Sequence, residues 1–318
     1  MLPAPGVRAR SGPIELQARF DVLGVFANDL SYRSIRFVDT GPPDGSALVF
    51  FGGLGTSAGA CLLTEFARST RERLGLRLIC VERNGFGETP FDRRRGVSDV
   101  VGDVLAVLAS LGVGRFGIVA ISGGGPYAAA LAAAAAPRVV SLHLAAAVAG
   151  ADAPLSSQAV SADPRTMWDY PAHSPVHRVP GFARAAGEEG MRALGPDGRG
   201  VAAFEHELRL IRTTPLPDLR HVRAPAYLYL GDADETVGPA HAAAWSAALP
   251  NVVAVRRYEG EGHDVQYRHW DQILLDAAEL GDRVLVCLEG RTWLVPAQAP
   301  PEGASLGLCC WNTKENET

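Results

Sequence analysis

The sequence predicts an α/β protein built on a mainly parallel sheet flanked by helices, and three observations predict it. Short apolar runs alternate with helix-forming stretches through most of the chain. One apolar run, residues 116–121, breaks at Ser122-Gly123-Gly124-Gly125 and leads directly into a helix-forming stretch. At 318 residues the chain is also long enough to bury a substantial core.

The elements follow in order. Residues 20–26 and 31–38 read as two opening strands, with a hairpin across Ala27-Asn28-Asp29. Residues 47–51 form a short, wholly apolar run, as expected of a strand covered on both faces. Residues 58–73 read as helical and 76–81 as the next strand. Val101, Val104, Leu105, Leu108 and Leu111 recur at helical spacing, so that segment packs one face on the sheet. Residues 116–121 form the strand that delivers Ser122, and the alanine-rich 128–136 is a helix small enough to pack closely against the sheet. Residues 139–148 include a further strand.

Regularity then stops. Between residues 150 and 217 the chain holds Pro154, Pro164, Pro171, Pro175, Pro180 and Pro196, with a helical piece at 201–212. An insertion of that length in a compact domain is usually functional, and a helical lid is expected. The alternation resumes with a strand at 226–230, a helix at 239–249, a strand at 252–258 and a helix at 264–280. Residues 283–288 and 292–295 flank Glu289-Gly290-Arg291 and read as a late hairpin, and the tail from about residue 301 is expected to be loose. The expected organisation is a core of residues 20–149 and 218–281, a lid at 150–217, and a C-terminal hairpin and tail at 282–318.

Composition narrows the partners. Hydrophobic residues make up 47% and charged residues 20%, which is ordinary for a soluble globular protein. A net charge of -5 gives no reason to expect nucleic acid or a membrane surface as partner. No apolar run reaches the roughly 18 residues of a membrane span, and residues 1–13 lack the apolar stretch of a signal peptide. Five cysteines, Cys61, Cys80, Cys287, Cys309 and Cys310, are odd in number and irregularly spaced, and read as reduced thiols of a cytoplasmic protein.

No cofactor is expected. The runs Gly52-Gly-Leu-Gly and Gly123-Gly-Gly have no following lysine, so neither completes a phosphate-binding loop. His173 and His177 sit four apart, but Pro171 and Pro175 argue against a helix there, and a metal site is not expected. Arg93-Arg94-Arg95 reads as a solvated loop. A homodimer is left open.

The chemistry rests on three side chains. A serine hydroxyl is a poor nucleophile unless an imidazole takes its proton and a carboxylate holds that imidazole in the right tautomer. Ser122 lies at the strand-to-helix bend. Asp234 lies in a turn directly after a predicted strand, with Asp232 two residues away as either a cap of the following helix or a substitute. His263 lies in the glycine-rich turn after the next strand. In an open parallel sheet the C-terminal strand ends share one edge, so three such loops can meet. A lone serine in a glycine turn is more often structural; the order of the three is what favours nucleophilic catalysis.

That order, Ser…Asp…His with the serine on an elbow, resembles the α/β-hydrolase superfamily from about residue 20 to 280. The elbow, usually G-x-S-x-G, reads Ala120-Ile121-Ser122-Gly123-Gly124. Phe50-Phe-Gly-Gly-Leu-Gly-Thr resembles the family's loop after its third strand, with Gly52 where a histidine is usual. Val81-Glu82-Arg83-Asn84-Gly-Phe-Gly-Glu-Thr89 resembles the acidic-Arg-x-Gly-x-Gly-x-Ser segment after its fourth strand.

The resemblance implies a serine hydrolase of the esterase, non-haem haloperoxidase and proline iminopeptidase group. Its catalytic residues would be Ser122, Asp234 and His263, with the backbone N–H groups of Leu54 and Gly123 as oxyanion hole. The substrate would be an ester or lactone of a small or medium organic molecule. An amide, thioester or carbon–carbon bond remains an alternative, as does a ligand-binding protein with little turnover. Trp168 and Tyr170, in the predicted lid, either line an acyl pocket or anchor the lid.

Overall fold

A computed structural model describes residues 14–16, 28–32, 34–161, 163–165, 179, 181–195 and 198–309. Its centre is an eight-stranded sheet. The strands are β2 (Asn28–Tyr32), β3 (Ile35–Thr40), β4 (Ser46–Phe51), β5 (Leu76–Val81), β6 (Phe116–Ile121), β7 (Val139–Ala145), β8 (Ala226–Gly231) and β9 (Val252–Tyr258), in the spatial order β2-β3-β5-β4-β6-β7-β8-β9. The pairs β2–β3 and β3–β5 are antiparallel, and every pair from β5 to β9 is parallel. β6, which carries Ser122 at its end, is therefore an interior strand. All six of its residues are buried, as an apolar run covered on both faces requires.

Helices cover both faces. On one side α2 (Val97–Ser110), α3 (Gly125–Ala134) and α7 (Pro239–Ala248) pack a core of Val104, Leu108, Leu131 and Trp245 against Val49, Ile79, Ile118 and Leu142. On the other, a 3₁₀ segment (Ala58–Ala67) and α9 (Trp270–Ala277) bury Leu63, Phe66, Trp270 and Leu274 against Leu48, Leu78 and Val119. α2 opens where the Gly96 amide donates to the Asp99 carboxylate at 2.8 Å, which satisfies one orphan donor of the first turn. Between β7 and β8 the chain inserts α4 (Ser157–Val160), α5 (Phe182–Leu194) and α6 (Gly200–Thr213).

Several expectations need correction. The opening hairpin turns between Tyr32 and Ile35, not at Ala27-Asn28-Asp29: Asn28 pairs with Asp39 inside the ladder, and Ser34 lies in the turn with φ 67°. The expected strand at 20–26 lies outside the described residues. The helix expected over 58–73 is a 3₁₀ run followed by a short α1 (Arg68–Arg73). The helix expected over 264–280 is split at His269 into α8 (Val265–Arg268) and α9.

The C-terminal hairpin forms as expected from β10 (Arg283–Leu288) and β11 (Arg291–Pro296), but its surroundings do not. β11 also pairs with β1 (Ile14–Leu16), and β10 with β12 (Ser305–Leu306), giving a second, four-stranded sheet. The segment from 301 to 309 is therefore tied down rather than loose. Cys287 and Cys309 form a disulfide, so the five cysteines are not all reduced; Cys61 and Cys80 are free and buried. Disulfides persist in oxidising compartments, so the thiol argument for the cytoplasm no longer holds. Among the described residues no helix is long and apolar enough to cross a membrane.

One buried polar network runs through the sheet. His143 Nδ1 lies 3.0 Å from Tyr229 Oη and its Nε2 2.9 Å from Ser141 Oγ. Tyr229 donates to Asp276 at 2.7 Å, and Arg256 Nε donates to the same carboxylate oxygen at 2.7 Å. Burial pushes the His143 pKa down to about 4; the Asp276 charge opposes this and Arg256 adds to it. The unfolded chain binds this proton near 6.5 and the fold only near 4, so stability falls as the pH drops between those values. In denaturant titrations at pH 7 and pH 5, the His143→Gln variant is expected to lose about 2 kcal/mol less on acidification than the wild type. Equal losses would mean that His143 is not held neutral.

Candidate active site

Ser122 follows β6 directly and has φ 49°, in the left-handed region that a side chain enters only when its surroundings impose it. The surroundings do. The Ser122 carbonyl accepts from the Val148 amide at 2.8 Å, and the next turn begins α3. A Cβ at Gly125 would lie 2.0 Å from the Val148 carbonyl oxygen, so only glycine lets the helix start this close to the chain leaving β7. The buried Ala120, in place of the family's first glycine, fits within β6.

Two neighbouring parallel strands bring the partners. β8 ends at Gly231, and three residues later Asp234 turns back towards the sheet edge. β9 ends at Tyr258, and the following turn carries His263. His263 Nε2 lies 3.0 Å from Ser122 Oγ, and His263 Nδ1 lies 2.9 Å from Asp234 Oδ2. An ionised Asp234 accepts a hydrogen bond from His263 Nδ1–H, which fixes the tautomer and leaves Nε2 to accept from the Ser122 hydroxyl. The other Asp234 oxygen accepts from the Thr236 and Val237 amides, each at 2.8 Å.

Burial works to raise the Asp234 pKa. The hydrogen bond and charge of His263 and the two amides outweigh it and hold the carboxyl below its usual range. Asp232, the alternative, instead accepts from the Gly260 amide at 2.7 Å and ties the two loops together. The sequence thus left two aspartates open, and the structure brings Asp234 to the imidazole.

The loop after β4 closes the site from the other side. A Cβ at Gly123 would sit 2.7 Å from the Leu54 nitrogen, and one at Gly53 would sit 3.5 Å from Ser122 Cβ. The two expected oxyanion donors, Leu54 and Gly123, therefore adjoin each other beside Ser122. Val148, Ile211 and Val237 form a buried apolar cluster with Leu54 and Leu155 packed on it, drawn from the β7 exit, α6 and the Asp234 loop. Trp168, Tyr170, His173 and His177 lie outside the described residues. Among those described, no cluster of three His, Cys, Asp or Glu side chains is arranged to hold a metal.

Sequence reasoning did not anticipate that two carboxylates, Glu207 and Glu189, are buried against the loop after β4. Glu207, from α6, is fully buried and accepts from the Gly55 amide at 2.8 Å and from Tyr127 Oη at 3.0 Å. It pairs with Arg83 at 3.0 Å. Glu189, from α5, accepts from the Ser57 amide at 2.7 Å and from Ser57 Oγ at 2.9 Å. Burial raises the pKa of both carboxyls. For Glu207, Arg83 and its donors work against burial; for Glu189, Ser57 and Arg192 do. Only Arg83 carried a signal, through the segment after β5. Glu207 lies 124 positions from Arg83, and nothing local marks a helical glutamate as buried.

Many solved structures share this architecture. A bacterial membrane phospholipase A described as a virulence factor is 20% identical with a TM-score of 0.62, over 82% of this chain and 88% of that one. A 2-hydroxy-6-oxo-6-phenylhexa-2,4-dienoate hydrolase from a Rhodococcus species is 19% identical with a TM-score of 0.61, over 77% and 94%. An enol-lactonase from Burkholderia xenovorans is 18% identical with a TM-score of 0.60, over 77% and 95%. At such identities the likeness speaks for the fold alone. No curated protein matches the chain in sequence. The sequence profile of the alpha/beta hydrolase fold matches residues 46–210, from the start of β4 through the elbow and into α6. That match spans more than half of the chain, and the chain belongs to the α/β-hydrolase family.

Proposed function

We propose that the protein is a serine hydrolase that cleaves an ester or lactone of a small or medium organic molecule through an acyl-enzyme. The observation that carries this reading is the hydrogen-bonded run from Ser122 to His263 to Asp234 at the C-terminal edge of the sheet. Ser122 attacks the carbonyl while His263 takes its proton. The Leu54 and Gly123 amides receive the developing oxyanion. His263 then protonates the leaving group and activates water for the second step, while Asp234 stays ionised and steadies the imidazolium.

An uncharged acyl group fits the surroundings best. The apolar cluster of Val148, Ile211 and Val237 borders the serine. Recognition of a substrate ammonium, as an aminopeptidase needs, calls for a free carboxylate. Glu189 is taken by Ser57, while Glu188 and Glu205 lie exposed. A panel of 4-nitrophenyl esters, lactones, thioesters and aminoacyl anilides tests the reading. Turnover is expected for uncharged esters or lactones, at least tenfold above the anilides, a gap of about 1.4 kcal/mol in barrier. A preference for aminoacyl anilides would overturn it.

A further inference from the structure

The loop from Gly52 to Ser57 has lost its usual bracing side chain, since a histidine would normally stand where Gly52 does. Arg83 braces it instead from below. Arg83, just beyond β5, reaches under the loop. Its Nη1 donates to the Gly52 carbonyl at 2.8 Å, and its Nη2 donates to the Gly53 carbonyl and to Thr56 Oγ1 at 2.9 Å. The contact with Gly53 has a geometric consequence. The Gly53 carbonyl and the Leu54 N–H belong to one planar trans peptide, so they point in opposite directions. Drawing that carbonyl onto Arg83 turns the Leu54 N–H the other way, to the side where Ser122 lies.

Arg83 is itself held. Its Nε lies 3.0 Å from Glu207 Oε1, and the guanidinium is only 4% exposed. The other Glu207 oxygen takes the Gly55 amide, which fixes the next peptide in the loop, and Tyr127 from α3 donates to the same carboxylate. Glu207 belongs to α6, in the segment inserted between β7 and β8. One chain of contacts therefore runs from the inserted helix through a buried ion pair to the peptide that presents the Leu54 donor.

We propose that Arg83, clamped by Glu207 of α6, is the positioning residue that aims the Leu54 amide at the oxyanion. The inserted helix is thereby a fixed part of the hole rather than a cover lifted to admit substrate. This rests on the serine-hydrolase reading above. An amide held this way costs no reorganisation when charge develops. Neither Arg83 nor Glu207 needs to touch substrate, so their effect belongs to the chemical step.

The test uses the full chain, with a fluorophosphonate probe and 4-nitrophenyl butyrate. Arg83→Met is expected to lower the saturating rate of phosphonylation and kcat by about 10²- to 10³-fold, the loss typical of one oxyanion donor. Noncovalent binding of the probe and KM should change little, a split that a merely structural role would not produce. Glu207→Gln keeps an acceptor for Gly55 but loses the charge that orients Arg83, and is expected to lower the same rates by roughly tenfold. Arg94→Met, removing an exposed arginine paired to Asp92, is the control and should match the wild type.

If Arg83→Met does not fold, Glu207→Gln decides. Wild-type phosphonylation rates in the folded variants, or losses confined to KM, would overturn the proposal while leaving the reading of Ser122 intact. A wild type that is neither labelled nor active would overturn both.

Discussion

Replacing Ser122 with alanine is expected to lower ester turnover by on the order of 10⁶-fold while leaving the fold in place. The magnitude follows from the way a nucleophile and its base act as a unit: without the hydroxyl, His263 has no proton to take, and only the residual action of the oxyanion site remains. The stability of the variants carries separate information. Ser122 is held at φ 49°, where a Cβ is strained, and alanine keeps that strain. Ser122→Gly relieves it and is expected to be more stable than the wild type by about 1 kcal/mol, yet equally inactive. Rate measurements and denaturant unfolding on the three proteins check both parts. A Ser122→Ala protein that keeps its turnover would remove the nucleophile, and a less stable Ser122→Gly would remove the strained elbow.

The second large effect is on stability. Gly125→Ala puts a methyl group 2.0 Å from the Val148 carbonyl oxygen and 3.0 Å from its carbon. Both are backbone atoms, so no flexible side chain can swing aside. The Val148 amide also holds the Ser122 carbonyl, and relief of the clash must pull on the elbow. Overpacking of this kind costs about 1–3 kcal/mol, and the backbone target places the expected loss at the upper end, with activity falling alongside. Gly96→Ala is the comparison, because nothing lies within 4 Å of a Cβ there. Comparable melting shifts for the two would mean that the elbow yields more easily than its contacts imply.

The middle of the sheet was legible because its strands are buried on both faces. Residues 76–81 and 116–121 read as strands with the bounds they have in the structure, since apolar runs between turn residues leave little choice of register. Residues 252–258 also keep their bounds, although β9 is the edge strand and alternates half-buried with exposed residues. The helices were less legible where packing overrides local preference. The residues 58–67 run is 3₁₀, its entry pinned by Ser57, whose hydroxyl accepts from the Gly59 amide at 3.0 Å. The opening hairpin was misplaced because Ser34, rather than a glycine or asparagine, takes the positive φ.

At the site, Ser122 and His263 could be named because glycine-rich turns at strand ends mark the sheet edge where side chains converge. Asp232 and Asp234 could not be separated by spacing; which one faces the imidazole depends on the backbone amides that cage Asp234. The bracing of the oxyanion loop was invisible for a different reason. Glu207 and Glu189 sit on amphipathic helices as ordinary charged residues, and only the tertiary fold buries them against the loop. The disulfide between Cys287 and Cys309 was missed because the pairing depends on β12 docking beside β10, a contact that no local pattern announces.

The most direct measurement is to catch the covalent intermediate. The wild type and His263→Ala are mixed with a 4-nitrophenyl ester, quenched in acid within the first turnovers, digested, and the acylated peptide is located by mass spectrometry. The acyl group is expected on the peptide carrying Ser122 in the wild type, and missing when the imidazole 3.0 Å from its hydroxyl is removed. Acyl transfer to another residue, or steady turnover with no adduct on that peptide, would contradict the assignment of Ser122 as nucleophile.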